Sequence, residues 1–175
     1  MVVTGLLHVA IKTADLAATV GFYRDVLGLR EAARPPFPYP GAWLSVPTPA
    51  GEAIIHVYAG GPALGASGQV PSGTGAIDHL SIAAIGFEAF RARFAERGIA
   101  WREFLVPGTT LWQLFVHDPS GMQIELTFDG RAEGGEPPVI PDERRYRAGE
   151  SFFEPPAARV VGGADAGAGA GADAR

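Results

Sequence analysis

Two stretches of this 175-residue chain repeat one order of predicted secondary structure. Residues 3–59 show the pattern of a strand, a helix and three further strands, and residues 76–128 show the same pattern. Equivalent positions in the two stretches lie about 70 residues apart. The repeat therefore predicts an α+β fold built from two βαβββ units.

Each predicted helix carries an apolar stripe at helical spacing. The stripes are Leu16, Val20, Tyr23 and Leu27 in the first helix and Phe87, Phe90 and Phe94 in the second. Asp15 is a suitable N-cap for the first helix, and Gly28 and Gly98 are placed to end the two helices. These signals set the bounds of both helices.

Four polar side chains interrupt the apolar strands at equivalent places in the two units. They are His8, His56, His79 and Glu125. Successive side chains in a strand point to opposite faces, so each of the four lies opposite the aliphatic face of its strand. Two such sheets side by side would curl into a mixed β-sheet half-barrel with the four groups inside. Three imidazoles and a carboxylate suit one divalent metal and favour Fe, Zn, Mn, Ni or Co over Ca or Mg.

The same alternation predicts which side chains line this metal cleft. They are Trp43, Tyr58, Gln113 and Phe115, with Trp43 matched to Gln113 at the common repeat spacing. Aromatic walls with a few polar groups are usual for a small-molecule pocket. A plain core role for Trp43 and Phe115 is equally open at this stage.

Composition and charge disfavour several other classes of function. The net charge is −5 and basic residues do not cluster, which disfavours nucleic acid and anionic membranes as partners. The chain has no cysteine, which excludes disulfides and thiolate metal sites. No secretory signal is visible, and the longest charge-free run, residues 53–77, is interrupted by Gly and Pro. We expect a cytoplasmic protein.

The last third of the chain differs in composition from the repeats. We expect the folded domain to span residues 1–129 and residues 130–159 to form an extended arm on the surface or on a partner. The arm has Tyr146, Phe152 and Phe153 as its bulky anchors. Residues 160–175 are Gly/Ala-rich, which predicts a disordered tail.

The paired units resemble the vicinal oxygen chelate family. The resemblance rests on the repeat, on "FYRDVLGL" at residues 22–29 and on "HDPSGMQIEL" at residues 117–126. The family includes glyoxalase I, extradiol dioxygenases, fosfomycin-resistance enzymes and bleomycin-binding proteins. It implies metal ligands on the first and last strands of each unit, which are the positions of the four polar residues above.

The resemblance also bears on the reaction. His8, His79 and Glu125 match the two-histidine, one-carboxylate set of the dioxygenases and fosfomycin enzymes, whereas glyoxalase I carries a carboxylate at the position of His56. If His56 also binds, two of six metal positions remain open, enough for two adjacent substrate oxygens but not for dioxygen as well. We therefore expect lyase or isomerase chemistry on a small oxygenated substrate, with Glu125 or His56 exchanging a proton if it loosens from the metal.

Two alternatives remain open on the sequence. The aromatic cleft favours an Fe(II) extradiol-type dioxygenase acting on an aromatic substrate. A non-catalytic, drug-sequestering protein would use the same walls without turnover. For each of these functions we expect a homodimer. The resemblance implies units that pair either within one chain or between two subunits, so the site can be shared between subunits.

Deleting residues 160–175 should leave folding and activity unchanged, because Gly/Ala-rich sequence offers little apolar surface to bury. Thermal unfolding of the truncated and full-length chains measures this. A clear drop in melting temperature would show that the tail packs on the folded domain.

Overall fold

The computed structural model describes residues 6–48 and 51–153, which contain two four-stranded sheets. The first, in the order β1-β4-β3-β2, consists of β1 (His8–Lys12), β2 (Arg30–Ala32), β3 (Gly41–Thr48) and β4 (Gly51–Tyr58). The second, in the order β5-β8-β7-β6, consists of β5 (Leu80–Ala83), β6 (Trp101–Leu105), β7 (Leu111–His117) and β8 (Gln123–Asp129). In each sheet the first strand runs parallel to the last and the other neighbours are antiparallel. The predicted pair of mixed βαβββ units is confirmed.

One helix follows the first strand of each unit. These helices are α1 (Leu16–Gly21), which continues as a π-helical turn (Phe22–Val26), and α2 (Phe87–Glu96). Asp15 caps α1 by accepting a hydrogen bond from the amide of Ala18 at 2.9 Å. Gly28 and Gly98 follow the helical segments with φ of +80° and +63°, which glycine adopts without steric cost. The predicted cap and both predicted helix ends are confirmed.

Each helix packs its apolar stripe on the aliphatic face of the sheets. Tyr23 and Phe94 are fully buried, and so are Val57 and Ile124 in the last strands of the two sheets. Val57 and Ile124 are the immediate neighbours of His56 and Glu125, whose side chains therefore point to the other face. The apolar faces predicted from alternation are the faces that form the core.

The register of the two sheets corrects one sequence prediction. His56 lies opposite Trp43, and Glu125 lies opposite Phe115. Phe115 is therefore the counterpart of Trp43, and the match of Trp43 with Gln113 was wrong by two residues. The β3–β4 hairpin remains paired further beyond this point than the β7–β8 hairpin does. Because the two hairpins differ in length, one constant spacing between the repeats cannot align all of their residues. The error of two residues leaves each side chain on the predicted face of its sheet, since side chains alternate with a period of two.

In the part of the chain that the structure describes, no strand of the first sheet pairs with a strand of the second. Within the described residues, β1 and β5 are edge strands, each with one neighbour. The curled half-barrel around one cleft therefore stays a prediction, since it needs the two sheets to be joined.

A buried hydrogen bond joins the two units. The hydroxyl of Tyr23, in the first unit, donates to Asp118 Oδ2 at 3.2 Å, and both side chains are buried. Asp118 begins the "DPSG" turn, and its Oδ1 accepts the amides of Ser120 and Met122 at 2.8 and 2.9 Å. Burial raises the pKa of Asp118. The turn that leads into β8 is thus anchored to the first helical segment.

The segment after β8 folds back over the second unit. It contains α3 (Gly130–Glu133) and a 3-10 turn (Asp142–Arg144). The carboxylate of Glu133 accepts the amides of Gly86 and Phe87 at 2.9 and 2.8 Å and so caps the N-terminus of α2. The predicted tail, residues 160–175, and the end of the predicted arm lie outside the described residues. In the described chain, no helix has the length and apolar character needed to cross a membrane.

Replacing Tyr23 with Phe should lower the free energy of unfolding by about 1–3 kcal/mol, because buried Asp118 loses a hydrogen-bond donor. Urea unfolding at neutral pH measures the loss. Tyr39→Phe, a matched change on the loop before β3, should stay within about 0.5 kcal/mol of wild type. Equal stability of Tyr23→Phe and wild type would show that the bond between the units contributes nothing.

Candidate metal and ligand site

The second unit brings His79 and Glu125 together. His79 Nε2 lies 3.2 Å from Glu125 Oε2. Two ligands at right angles, each about 2.1 Å from one ion, are about 3.0 Å apart, so this pair fits two neighbouring positions around a metal. Glu125 is only 6% exposed, in the middle of β8. These two predicted ligands are therefore already placed close enough to share an ion.

The other oxygen of Glu125 is held by its strand neighbours. Oε1 accepts hydrogen bonds from the hydroxyls of Ser81 and Thr127, each at 2.5 Å. Ser81 lies opposite Glu125 in the register of β5 and β8, and Thr127 is the next residue on the same face of β8. The carboxylate is thus oriented with Oε2 towards His79.

Asp78 orients the ring of His79. Its Oδ1 lies 2.7 Å from His79 Nδ1, and this hydrogen bond holds the pKa of Asp78 below its usual value. With Nδ1 facing Asp78, Nε2 is the nitrogen left for a metal. A carboxylate behind a histidine ligand fixes the tautomer and the ring orientation, and such partners support metal affinity.

The first unit brings His8 and His56 together in a different way. Their rings are stacked, with centroids 4.1 Å apart and planes 19° from parallel. The other face of His56 stacks on Trp43, with centroids 4.3 Å apart and planes 5° from parallel. Burial, reinforced by the neighbouring His8 and Arg34, lowers the pKa of His56. A neutral imidazole is the form that binds a metal or accepts a proton.

The four predicted ligands do not converge within one chain. Among the residues that the structure describes, no three His, Cys, Asp or Glu side chains are grouped so that they could hold one ion. The ligands form two pairs instead, one on each sheet, and the sheets are not joined by strand pairing. Each unit of the chain therefore supplies two of the four predicted metal ligands.

The predicted substrate-binding residues divide in the same way. Trp43 and Tyr58 lie on the first sheet, where Tyr39 packs edge-on against Tyr58 with ring centroids 5.8 Å apart. Gln113 and Phe115 lie on the second sheet, and Phe115 meets the ring of His79 edge-on at 5.7 Å. Each ligand pair thus has its own aromatic wall.

Tyr146 is a neighbour of the site that the sequence did not reveal. Its ring stacks on Phe115 with centroids 3.7 Å apart and planes 6° from parallel. Its hydroxyl donates to Asp78 Oδ1 at 3.2 Å. The sequence marked Tyr146 only as a bulky anchor, and Asp78 was passed over although it directly precedes His79.

His117, the histidine outside the predicted ligand set, packs against the aromatic residues of the C-terminal arm. Its half-buried ring packs against Phe152 and Phe153, with centroids 4.4 and 5.3 Å away. Burial, reinforced by Arg102, lowers its pKa to about 4. A cleft of about 220 Å³ is lined by His117 together with Asp78 and Tyr146.

Comparison with known proteins identifies relatives of this fold. The family model of the Glyoxalase/Bleomycin resistance protein/Dioxygenase superfamily matches residues 5–126. No curated protein matches the chain in sequence at a significant level.

Three similar solved structures span most of this chain. A protein from Bacillus anthracis, described as a glyoxalase family member, has a TM-score of 0.58 and 19% identity and covers 74% of this chain and 98% of its own. Lactoylglutathione lyase from Agrobacterium tumefaciens has a TM-score of 0.55 and 19% identity, with coverages of 73% and 96%. TnmS3, an antibiotic-binding protein from Streptomyces sp. CB03234, has a TM-score of 0.55 and 21% identity, with coverages of 74% and 98%.

At these identities the solved structures establish the fold alone. The family model carries the assignment, because its match includes both βαβββ units and all four predicted ligands. The chain belongs to the glyoxalase/bleomycin resistance protein/dioxygenase superfamily.

Proposed function

We propose that the protein is a metal-dependent enzyme that chelates a small oxygenated substrate at a site shared between two copies of the chain. The observation that carries the proposal is the 3.2 Å separation of His79 Nε2 and Glu125 Oε2. His8 and His56 from the second copy would complete the set. One divalent ion of the Fe, Zn, Mn, Ni or Co group suits these nitrogen and oxygen donors.

Sharing between copies is supported by the edges of the sheets. His8 opens edge strand β1, and His79 directly precedes edge strand β5. Next to them, Leu7 is 80% exposed and Ile77 is 57% exposed. Unpaired strand edges with exposed apolar residues favour association with another sheet. A homodimer would cover these edges and bring the two ligand pairs together.

In the proposed reaction, the metal and the chain's own residues would have different roles. When bound, the metal would supply Lewis-acid stabilisation of the negative charge that develops on adjacent substrate oxygens. Glu125 or His56 would accept a proton from the substrate and return it if it loosens from the metal. Trp43 and Phe115 would orient the substrate on either side.

The reaction class that we propose is lyase or isomerase. Its basis is His56, whose predicted ligation would leave only two metal positions open. The extradiol-type dioxygenase alternative requires His56 to stay off the metal, and the stacking of His56 between His8 and Trp43 favours that alternative. The two differ in whether dioxygen is consumed.

A second candidate function is ligand binding without turnover. The observation that favours it is the stack formed by His8, His56 and Trp43, whose rings could pack against an aromatic ligand. The similar fold of TnmS3, an antibiotic-binding protein, supports this candidate. Metal analysis separates the two, since purified protein that holds no transition metal and takes up none on reconstitution contradicts the enzyme.

His79→Ala and Glu125→Ala should each weaken metal binding at least about tenfold, because each removes a direct ligand. Isothermal titration with Zn²⁺ and Mn²⁺ measures the affinity. His117→Asn, which changes the histidine outside the predicted set, should bind within about twofold of wild type. Wild-type affinity in both alanine variants would refute the ligand assignment.

Mixing two deficient variants tests the sharing of the site. In a mixed dimer of His8→Ala and His79→Ala chains, one shared site lacks both residues and the other is intact. With equal amounts and random pairing, half of the dimers are mixed, so we expect mixing to restore about a quarter of the wild-type metal capacity, whereas sites built within single chains would stay deficient. Light scattering gives the mass, and a monomer with a complete metal site would contradict the shared arrangement.

An oxygen electrode tests the reaction class. Protein reconstituted anaerobically with ferrous iron and then given a panel of catechols should consume no oxygen above the rate of metal-free protein. The reason is that a metal bound by His56 as well has only two open positions, which the two catechol oxygens occupy, so that none remains for dioxygen. Rapid metal-dependent uptake with the colour of ring cleavage would establish the dioxygenase instead.

A further inference from the structure

We propose that Tyr146 of the C-terminal arm is a positioning residue for the metal ligand His79 and acts on it through Asp78. The inference rests on the proposed function, because it assumes that His79 binds the metal. It adds to the site a segment that follows both repeated units and lies beyond the residues 5–126 that the family model matches.

His79 needs support that its strand does not give. Strand β5 begins at Leu80, so His79 lies just outside the paired part of the sheet. Its side chain is about one-third exposed. The hydrogen bond from Nδ1 to Asp78 Oδ1, at 2.7 Å, is therefore important for fixing the ring.

Asp78 is itself exposed and must be held in place. Its side chain is 61% exposed, and a free carboxylate on the surface would rotate. Oδ1 of Asp78 also accepts the hydroxyl of Tyr146 at 3.2 Å and the side-chain amide of Gln123 at 3.3 Å. The oxygen that contacts His79 is thus the one fixed by the arm and by β8.

The position of the Tyr146 hydroxyl is set by packing on the second sheet. The ring lies flat on Phe115 at 3.7 Å and meets Phe104 edge-on at 6.5 Å. The amide of Tyr146 donates to the carbonyl of Glu103 in β6 at 2.9 Å. Ring and backbone are both held, so the hydroxyl reaches Asp78 from a fixed point.

The arm is held further along by a second aromatic contact. Phe153 packs so closely over Gly121 that a Cβ on this glycine would lie 2.8 Å from the ring. Gly121 has a φ of +84° in the turn before β8, so the close approach and the backbone conformation both require glycine. The arm is thus fixed to the sheet on both sides of the cleft beside Asp78.

A double-mutant cycle tests the coupling, with Zn²⁺ affinity as the readout. Tyr146→Phe keeps the ring and removes the hydroxyl, so we expect affinity to fall about threefold to tenfold, less than for loss of a direct ligand. Asp78→Asn should weaken binding about tenfold or more. Since Tyr146 acts through Asp78, adding Tyr146→Phe to Asp78→Asn should weaken binding no further. Tyr39→Phe is the matched control and should leave affinity unchanged in both backgrounds.

A second readout does not depend on the metal. The ¹⁵N shift of His79 Nδ1 in metal-free protein reports the hydrogen bond between this nitrogen and Asp78. Tyr146→Phe should change this shift, because Asp78 is then held less firmly, while Tyr39→Phe should not. Thermal unfolding of each variant verifies that the fold is retained.

Three results would overturn the inference: unchanged affinity in Tyr146→Phe, an equal loss in the Asp78→Asn background, or His79 shifts identical to wild type. Failure of the proposed function has a different signature. In that case His79→Ala itself binds Zn²⁺ as wild type does, whatever Tyr146→Phe shows.

Discussion

The alternation of side chains along β4 and β8 decides where chemistry is possible in this fold. Ile124 and Leu126 are buried in the core, so Glu125 between them must point to the other face of the sheet. A slip of one residue would place both aliphatic side chains on the opposite face of the sheet and the carboxylate in the core, at a cost of several kcal/mol. The requirement to bury the aliphatic face against the helices thus orients the candidate ligands.

The order of strands then divides these ligands between two sheets. In each unit the first strand pairs only with the last, which leaves β1 and β5 at the edges of the described sheets. The candidate ligands therefore lie on an edge strand and its neighbour, where a second sheet can reach them.

The sequence predicted the units, the helix ends and the faces because all three depend on local periodicity. It did not predict the register of Phe115 with Glu125, because alternation repeats every two residues and hairpin length is set by the whole strand pair. Asp78 and Tyr146 were missed for a related reason. They are 68 residues apart in sequence, and a contact at that separation leaves no periodic signal. The sequence did place two candidate ligands in each unit, but whether one chain brings the two pairs together depends on tertiary arrangement, which leaves no periodic signal either.

The two pairs of candidate ligands are held by different forces. Glu125 lies mid-strand between two neighbours, and hydroxyls from Ser81 and Thr127 fix its carboxylate. His79 lies outside its strand and depends on hydrogen bonds relayed from the arm. The equivalent residue His8 is preceded by Leu7, which offers no such bond, and its ring stacks on His56 instead. Stacking restrains the plane of a ring but does not select which nitrogen is protonated. The second unit therefore holds its candidate ligands in the more strictly defined orientation.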